Sequence, residues 1–121
     1  MSKAEQIVRD YLAAMERRDL AAAKALLAPG FFMVFPGNKR FDTLEELVEW
    51  AKSRYRSARK TYDAFEVSNN SVFCFGTLHG EFLDGKPYAG IRFIDRFTVR
   101  DGKLVDQQVW NDLAEVVHSS T

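Results

Sequence analysis

The chain has 121 residues, 46% hydrophobic and 28% charged, and its 17 basic and 17 acidic side chains cancel. That length suits a single domain, residues 1–121, with a core of its own. Balanced charge with no Lys/Arg cluster among aromatics argues against a nucleic-acid partner, and no apolar run reaches membrane-spanning length.

The first residues lead into a helix rather than the apolar core of a secretory leader. Ile7, Val8, Tyr11, Leu12 and Met15 recur at helix spacing, so an amphipathic helix is predicted from Lys3 to Arg17. Asp19 caps a second, alanine-rich helix from Leu20 to Leu27, stopped by Pro29-Gly30. Phe31–Phe35 is short and aromatic, a buried strand ended by Pro36-Gly37. Thr43-Leu44-Glu45-Glu46 is a capping box, Thr43 and Glu46 satisfying each other's backbone donors. The third helix runs on to Arg59, with Leu44, Leu47, Val48, Ala51 and Tyr55 on its buried stripe. Arg54, Arg56, Arg59 and Lys60 then form a solvated basic face.

After Thr61 the chain reads as strands: Tyr62–Val67, Val72–Leu83, Lys86–Arg100 and Lys103–Trp110. They are separated by Ser68-Asn69-Asn70, Asp84-Gly85 and Asp101-Gly102, the latter two being preferred two-residue hairpin turns. A short helix over Asp112–Val117 closes the chain. The predicted fold is α+β: three N-terminal helices packed on a strongly curved mixed, mainly antiparallel sheet. Cys74 lies among Val72, Phe73 and Phe75 and reads as a buried thiol; being the only cysteine, it fits a reducing cytoplasm. His79 and His118 are the only histidines, and no metal-ligand spacing occurs. Neither metal nor other cofactor is expected.

The turns set a register. Closure at Asp84-Gly85 pairs Leu78 with Ile91 and Gly76 with Phe93. Closure at Asp101-Gly102 pairs Asp95 with Gln108 and Phe93 with Trp110. Ile91, Phe93, Asp95, Phe97 and Val99 share one face, so a carboxylate stands in an apolar row. Burying a lone charge is costly and disfavours its ionised form. Asp95 is therefore the first candidate for function, the alternative being a core carboxyl bonded to Gln108 or Tyr11. Phe93, Gln108 and Trp110 accompany it on the inner face, with Phe35, Trp50 and Met15 as further pocket wall. Asp112 is a candidate base or simply a helix cap. His79 falls on the outer face, at a subunit interface or surface, and would join Asp95 as an acid–base pair if a bulge turned it inward. The outer face mixes aromatic and charged residues, as a homodimer interface does.

Ile7–Met15, Asp19-Leu20, Phe35-Pro36-Gly37 and Phe97–Leu104, in that order and spacing, resemble the nuclear transport factor 2-like superfamily, including its SnoaL-like members, over nearly the whole chain. The resemblance implies a cone with an internal pocket between sheet and helices, a small apolar ligand, and a homodimer through the outer sheet face. Ile94-Asp95-Arg96-Phe97 is similar to the segment where ketosteroid isomerases keep a protonated aspartic acid in an oxyanion hole, with Tyr11 in the place of its tyrosine partner. Phe35 stands where those enzymes carry the general base, which disfavours steroid isomerisation by the usual route. What the resemblance implies is a SnoaL-like isomerase, cyclase or dehydratase in which Tyr11 and Asp95 polarise a carbonyl oxygen, with Asp112 or His79 as base; the alternative is a non-catalytic binding or assembly module.

Overall fold

Among the described residues, 1–119 of a computed structural model, four helices and six strands follow in the order α1 (Lys3–Glu16), α2 (Leu20–Lys24), β1 (Leu27–Phe35), β2 (Lys39–Phe41), α3 (Leu44–Lys52), β3 (Tyr55–Ser68), β4 (Ser71–Phe82), β5 (Pro87–Arg100), β6 (Lys103–Asn111) and α4 (Leu113–Ser119). The strands form one mixed sheet, ordered β2-β1-β6-β5-β4-β3. Only the β1–β6 pairing is parallel among these. No helix among the described residues is long and apolar enough to cross a membrane.

Local chemistry accounts for the helix starts. Ser2 caps α1 by accepting the Glu5 amide at 3.1 Å, and Val8, Tyr11, Leu12, Ala14 and Met15 form its buried stripe. Asp19 accepts the Ala22 amide at the start of α2. Thr43 Oγ1 accepts the Glu46 amide at 3.1 Å, but the Glu46 carboxylate accepts from the Thr43 hydroxyl. The capping box is thus formed from one side.

The helix ends differ from expectation. α2 stops at Lys24 rather than Leu27, because Leu27 is drawn into the sheet opposite Leu104. α3 stops at Lys52 rather than Arg59, its end bonded by the Ser53 hydroxyl to the Trp50 carbonyl at 2.6 Å. From Tyr55 onward the backbone is claimed by β4, in register from Tyr55↔Phe82 to Ser68↔Ser71. Long-range sheet pairing overrides a weak local helix preference. The segment read as a solvated basic helix face is instead strand, with Lys60 half-buried on its inner side.

Bulges bend the long strands and raise their twist, curling the sheet around α1 and α3. In β3 they fall between Tyr55 and Ser57 and between Tyr62 and Ala64. At this bend Gly76 of β4 lies so close to β3 that an added Cβ would stand 1.9 Å from the Thr61 carbonyl oxygen. β5 carries an extra residue between Tyr88 and Ile91, where Gly90 has φ +69°.

Leu78↔Ile91 and Gly76↔Phe93 pair as expected, but the hairpin closes by a Phe82 N–H to Lys86 carbonyl bond around three residues rather than two. The extra residue in β5 absorbs the difference and leaves Tyr88 buried on the inner face. The β5–β6 turn forms as expected, Asp101 and Gly102 both having positive φ as a type I′ turn demands.

One bulge changes the reading of the inner face. The register slips between Val99↔Leu104 and Thr98↔Asp106, leaving Val105 unpaired. Val109, not Gln108, then lies opposite Asp95, and Asn111, not Trp110, opposite Phe93. A slip of one residue moves every later side chain to the other face. Gln107 and Val109 are therefore buried, while Trp110 is 50% exposed. The fold class, an α+β cone with a curved mixed sheet, is as expected.

Candidate functional site

A cavity of about 570 Å³ lies between the concave face of the sheet, α1 and α3. Tyr11, Leu12 and Met15 reach it from α1, and Leu47, Val48, Trp50 and Ala51 from α3. Phe35 lines it at the end of β1, and its ring contacts Trp50 at 5.7 Å and Phe41 at 5.6 Å. Trp50 also meets Tyr55, and Tyr55 meets Tyr88, continuing an aromatic wall along one side. Tyr62 and Phe93 meet edge to face at 5.9 Å on the other. Exposed residues Glu16, Arg18, Arg54 and Ala58 border the solvent side. Glu16 accepts a hydrogen bond from Arg59, and the Arg54 guanidinium lies 4.6 Å from the Trp50 ring centroid.

The polar groups gather at Asp95, which is 0% exposed. Its Oδ2 accepts from Lys60 Nζ at 2.5 Å and, in a longer contact of 3.5 Å, from Gln107 Nε2. Its Oδ1 is buried with no hydrogen-bond partner among the described residues. The lone buried acid expected from the sequence is thus one half of an ion pair. The ammonium compensates the charge that burial would otherwise penalise. Tyr11, 1% exposed, donates its hydroxyl to Gln107 Oε1 at 3.3 Å, with Met33 Sδ at 3.8 Å. Gln107 therefore links Tyr11 to Asp95, the place expected for Gln108.

Burial, and then the negative charge of Asp95, hold the Tyr11 hydroxyl well above the ordinary tyrosine range. It remains a neutral donor at physiological pH. Tyr62 is raised in the same sense, chiefly by burial, and burial pushes Tyr88 up to about 12. The Cys74 thiol, 0% exposed opposite Asp95, is pushed up to about 12 by burial first and by Asp95 second, Lys60 partly offsetting. It is no nucleophile near neutrality.

Of the residues singled out from the sequence, the structure gathers Asp95, Tyr11, Met15, Phe35, Trp50 and Phe93 around the cavity. Four fall elsewhere. Gln108 pairs with Arg96 on the outer face and Trp110 is exposed there, both through the β6 bulge. His79 is exposed on the outer face of β4, because the β5 bulge lies beyond it and turns Tyr88 instead. Asp112 accepts from Arg92 Nε and its backbone N–H bonds to the Arg92 carbonyl, so its carboxylate is tied to β5 away from the cavity lining. The side-chain cap of α4 comes from Asn111, whose Oδ1 accepts the Leu113 amide.

Lys60 and Gln107 were missed. For Gln107 a signal exists: Leu104 and Val109 are an odd number of residues apart, so both can be buried only if the strand bulges between them. Lys60 carried no comparable signal, since the pattern around it continued that of α3.

A model of the SnoaL-like domain family matches residues 8–107. No curated protein matches the chain. An NTF2-like protein of unknown function from Burkholderia pseudomallei is 23% identical, with a TM-score of 0.85 over 98% of this chain and 97% of its own. TerC, crystallised with polyporic acid, is 19% identical with a TM-score of 0.87, covering 97% of each chain. A putative SnoaL-like polyketide cyclase from Jannaschia sp. is 17% identical with a TM-score of 0.78, over 95% of this chain and 89% of its own. These likenesses concern the fold. With the family match spanning most of its length, the chain belongs to the SnoaL-like domain family.

Proposed function

We propose that the protein binds a small apolar ring compound bearing a carbonyl and moves a proton on it, as an isomerase, cyclase or dehydratase does. The observation that carries this reading is Asp95: a fully buried carboxylate with one unpartnered oxygen, lining an aromatic cavity large enough for a small molecule. In the step, Asp95 takes a proton from the carbon beside the carbonyl. The C–H bonding pair forms a C=C bond as the carbonyl π pair moves onto the oxygen; when the carbonyl re-forms, Asp95 returns the proton at a second position. Tyr11, kept neutral by its surroundings, donates to Gln107 Oε1 and through Gln107 holds the Asp95 carboxylate in place. Asp95 thereby takes the base's part that Phe35 cannot play. Neither His79 nor Asp112 is needed.

A second reading, a non-catalytic binding module, is favoured by Phe35 itself, an apolar wall where the isomerases carry their base. Two linked measurements separate the readings. Trp50 lines the cavity and Trp110 does not, so quenching that is lost in Trp50→Phe and kept in Trp110→Phe reports binding there. The probes are 2-tetralone, an enolisable ring ketone, and polyporic acid, with which TerC was co-crystallised. Exchange of the 2-tetralone α-hydrogens in deuterated water, followed by NMR, reports proton transfer. Catalysed exchange falling about 100-fold or more in Asp95→Asn supports the enzyme. Quenching without catalysed exchange leaves the binding module, and no quenching rejects both.

A homodimer through the outer sheet face belongs to the same proposal. Phe75, Ile94 and Trp110 lie opposite one another across β4, β5 and β6, with Ile94 38% and Trp110 50% exposed. The single buried thiol supports a reducing, cytoplasmic setting.

A further inference from the structure

Lys60 projects from the inner side of β3, opposite Leu78 of β4, into the cavity. Its side chain is 23% exposed, against 0% for Asp95, and its Nζ lies 5.0 Å from the Phe93 ring centroid. An ammonium has three donors and no acceptor. One donor goes to Asp95 Oδ2, and among the described residues Nζ makes no other hydrogen bond. On the other partner, Oδ2 receives both Lys60 and Gln107 while Oδ1 receives nothing. A buried ion pair that serves only the core needs its remaining protons and lone pairs satisfied by protein. This one leaves donors on Lys60 and an acceptor on Asp95, side by side, in a wall otherwise largely of aromatic and aliphatic side chains.

We infer that Lys60 and Asp95 together form a ligand subsite for two neighbouring oxygens on a ring compound, one a hydroxyl donating to Asp95 Oδ1 and the other a carbonyl or ionised oxygen accepting from Lys60. The ligand class is a vicinal hydroxy-carbonyl or its enediol form. This rests on the reading of the cavity as a site for apolar ring compounds. It assigns to Lys60 the contact with the oxygen on which negative charge collects when Asp95 takes a proton, a role that no neutral donor in the cavity matches in strength. Tyr11 and Gln107 then serve to hold Asp95 in position through their mutual hydrogen bond.

The test uses naphthalene-2,3-diol, which carries both oxygens, and 2,3-dimethoxynaphthalene, which cannot donate and cannot ionise. Binding is followed by Trp50 quenching, and ionisation of the bound diol by the red-shifted emission of its naphtholate. Wild-type protein is expected to bind the diol about tenfold or more tightly than the dimethoxy compound, a charge-assisted hydrogen bond being worth at least that. Bound diol is expected to show naphtholate emission at a pH where free diol shows none.

Lys60→Met risks unfolding, since it strands Asp95, so the deciding variant is Lys60→Met/Asp95→Asn, which removes both charges. In it the preference should fall below about threefold with dimethoxynaphthalene affinity retained. Equal binding of the two compounds by wild type, or a preference that survives in the double variant, overturns the subsite and leaves the apolar cavity standing. Failure of wild type to bind either compound overturns both.

Discussion

The Lys60–Asp95 pair makes an asymmetric prediction about stability. Lys60→Met leaves the Asp95 carboxylate 0% exposed with only the 3.5 Å contact from Gln107 Nε2. Breaking a buried pair in this direction costs about 3–5 kcal/mol, because an uncompensated charge stays behind. Asp95→Asn strands the other partner, but the Lys60 side chain is 23% exposed and its ammonium can turn toward cavity water. That change should cost only about 1–2 kcal/mol, the scale of a lost charge-assisted hydrogen bond.

The double variant carries no buried charge and should resemble Asp95→Asn alone, giving a coupling of about 3–5 kcal/mol between the sites, the full cost of Lys60→Met. Urea unfolding at neutral pH, with thermal midpoints as a check, measures all four proteins. At about 4 °C per kcal/mol for a domain of this size, Lys60→Met should melt more than about 10 °C below wild type. Two results would refute the reasoning: Lys60→Met within about 1 kcal/mol of wild type, or Asp95→Asn the costlier change. Either would mean that the pair is open to solvent rather than part of a dry wall.

Cys74 predicts an alkaline loss of stability. Its thiol is raised from 9.0 to about 12 in the folded protein, so above about pH 9 the unfolded chain gives up this proton while the folded chain keeps it. Stability should therefore fall as pH rises from 9 to 12, by at most about 1.4 kcal/mol per pH unit from this group. The unfolding midpoint of wild type should fall more steeply across that range than that of Cys74→Ala, and fast reaction of the native thiol with an aromatic disulfide at pH 8 would contradict the burial. Gly76→Ala should destabilise by about 2–3 kcal/mol, because its new Cβ meets the backbone of Thr61 rather than a movable side chain; an unchanged urea midpoint would show that the β3–β4 bend is not tight. Ile94→Lys combined with Trp110→Lys should leave the fold and ligand quenching intact while converting a dimer to a monomer in sedimentation velocity. A wild-type protein that sediments only as a monomer removes the outer face as an interface.

Several elements were legible from short stretches alone, for a common reason: their determinants lie within one turn of the chain. Asp19 and Thr43 cap the helices they precede, the α1 stripe is a local period, and Asp101-Gly102 closes a two-residue hairpin. Asp95 was also legible, since alternation along β5 placed a carboxylate between Phe93 and Phe97 without any knowledge of what faces it. Trp50, Phe35 and Met15 followed as apolar residues on elements that turn inward.

What the chain did not reveal locally was decided by pairing between distant segments. Arg54–Lys60 continues the character of α3, yet the free edge of β4 offers a dozen residues' length of backbone hydrogen bonds, and β3 forms there instead. Lys60 reaches Asp95 only by that choice. The slip at Val105 is a second case. Burying both Leu104 and Val109 outweighs an unbroken ladder, and this single unpaired residue exchanges Gln107 for Gln108 and sends Trp110 to the surface. The composition and turns of this chain dictate an α+β cone with an acid inside it. Whether that acid is a lone proton donor or half of an ion pair depends on a lysine 35 residues away, and only the folded sheet brings the two together.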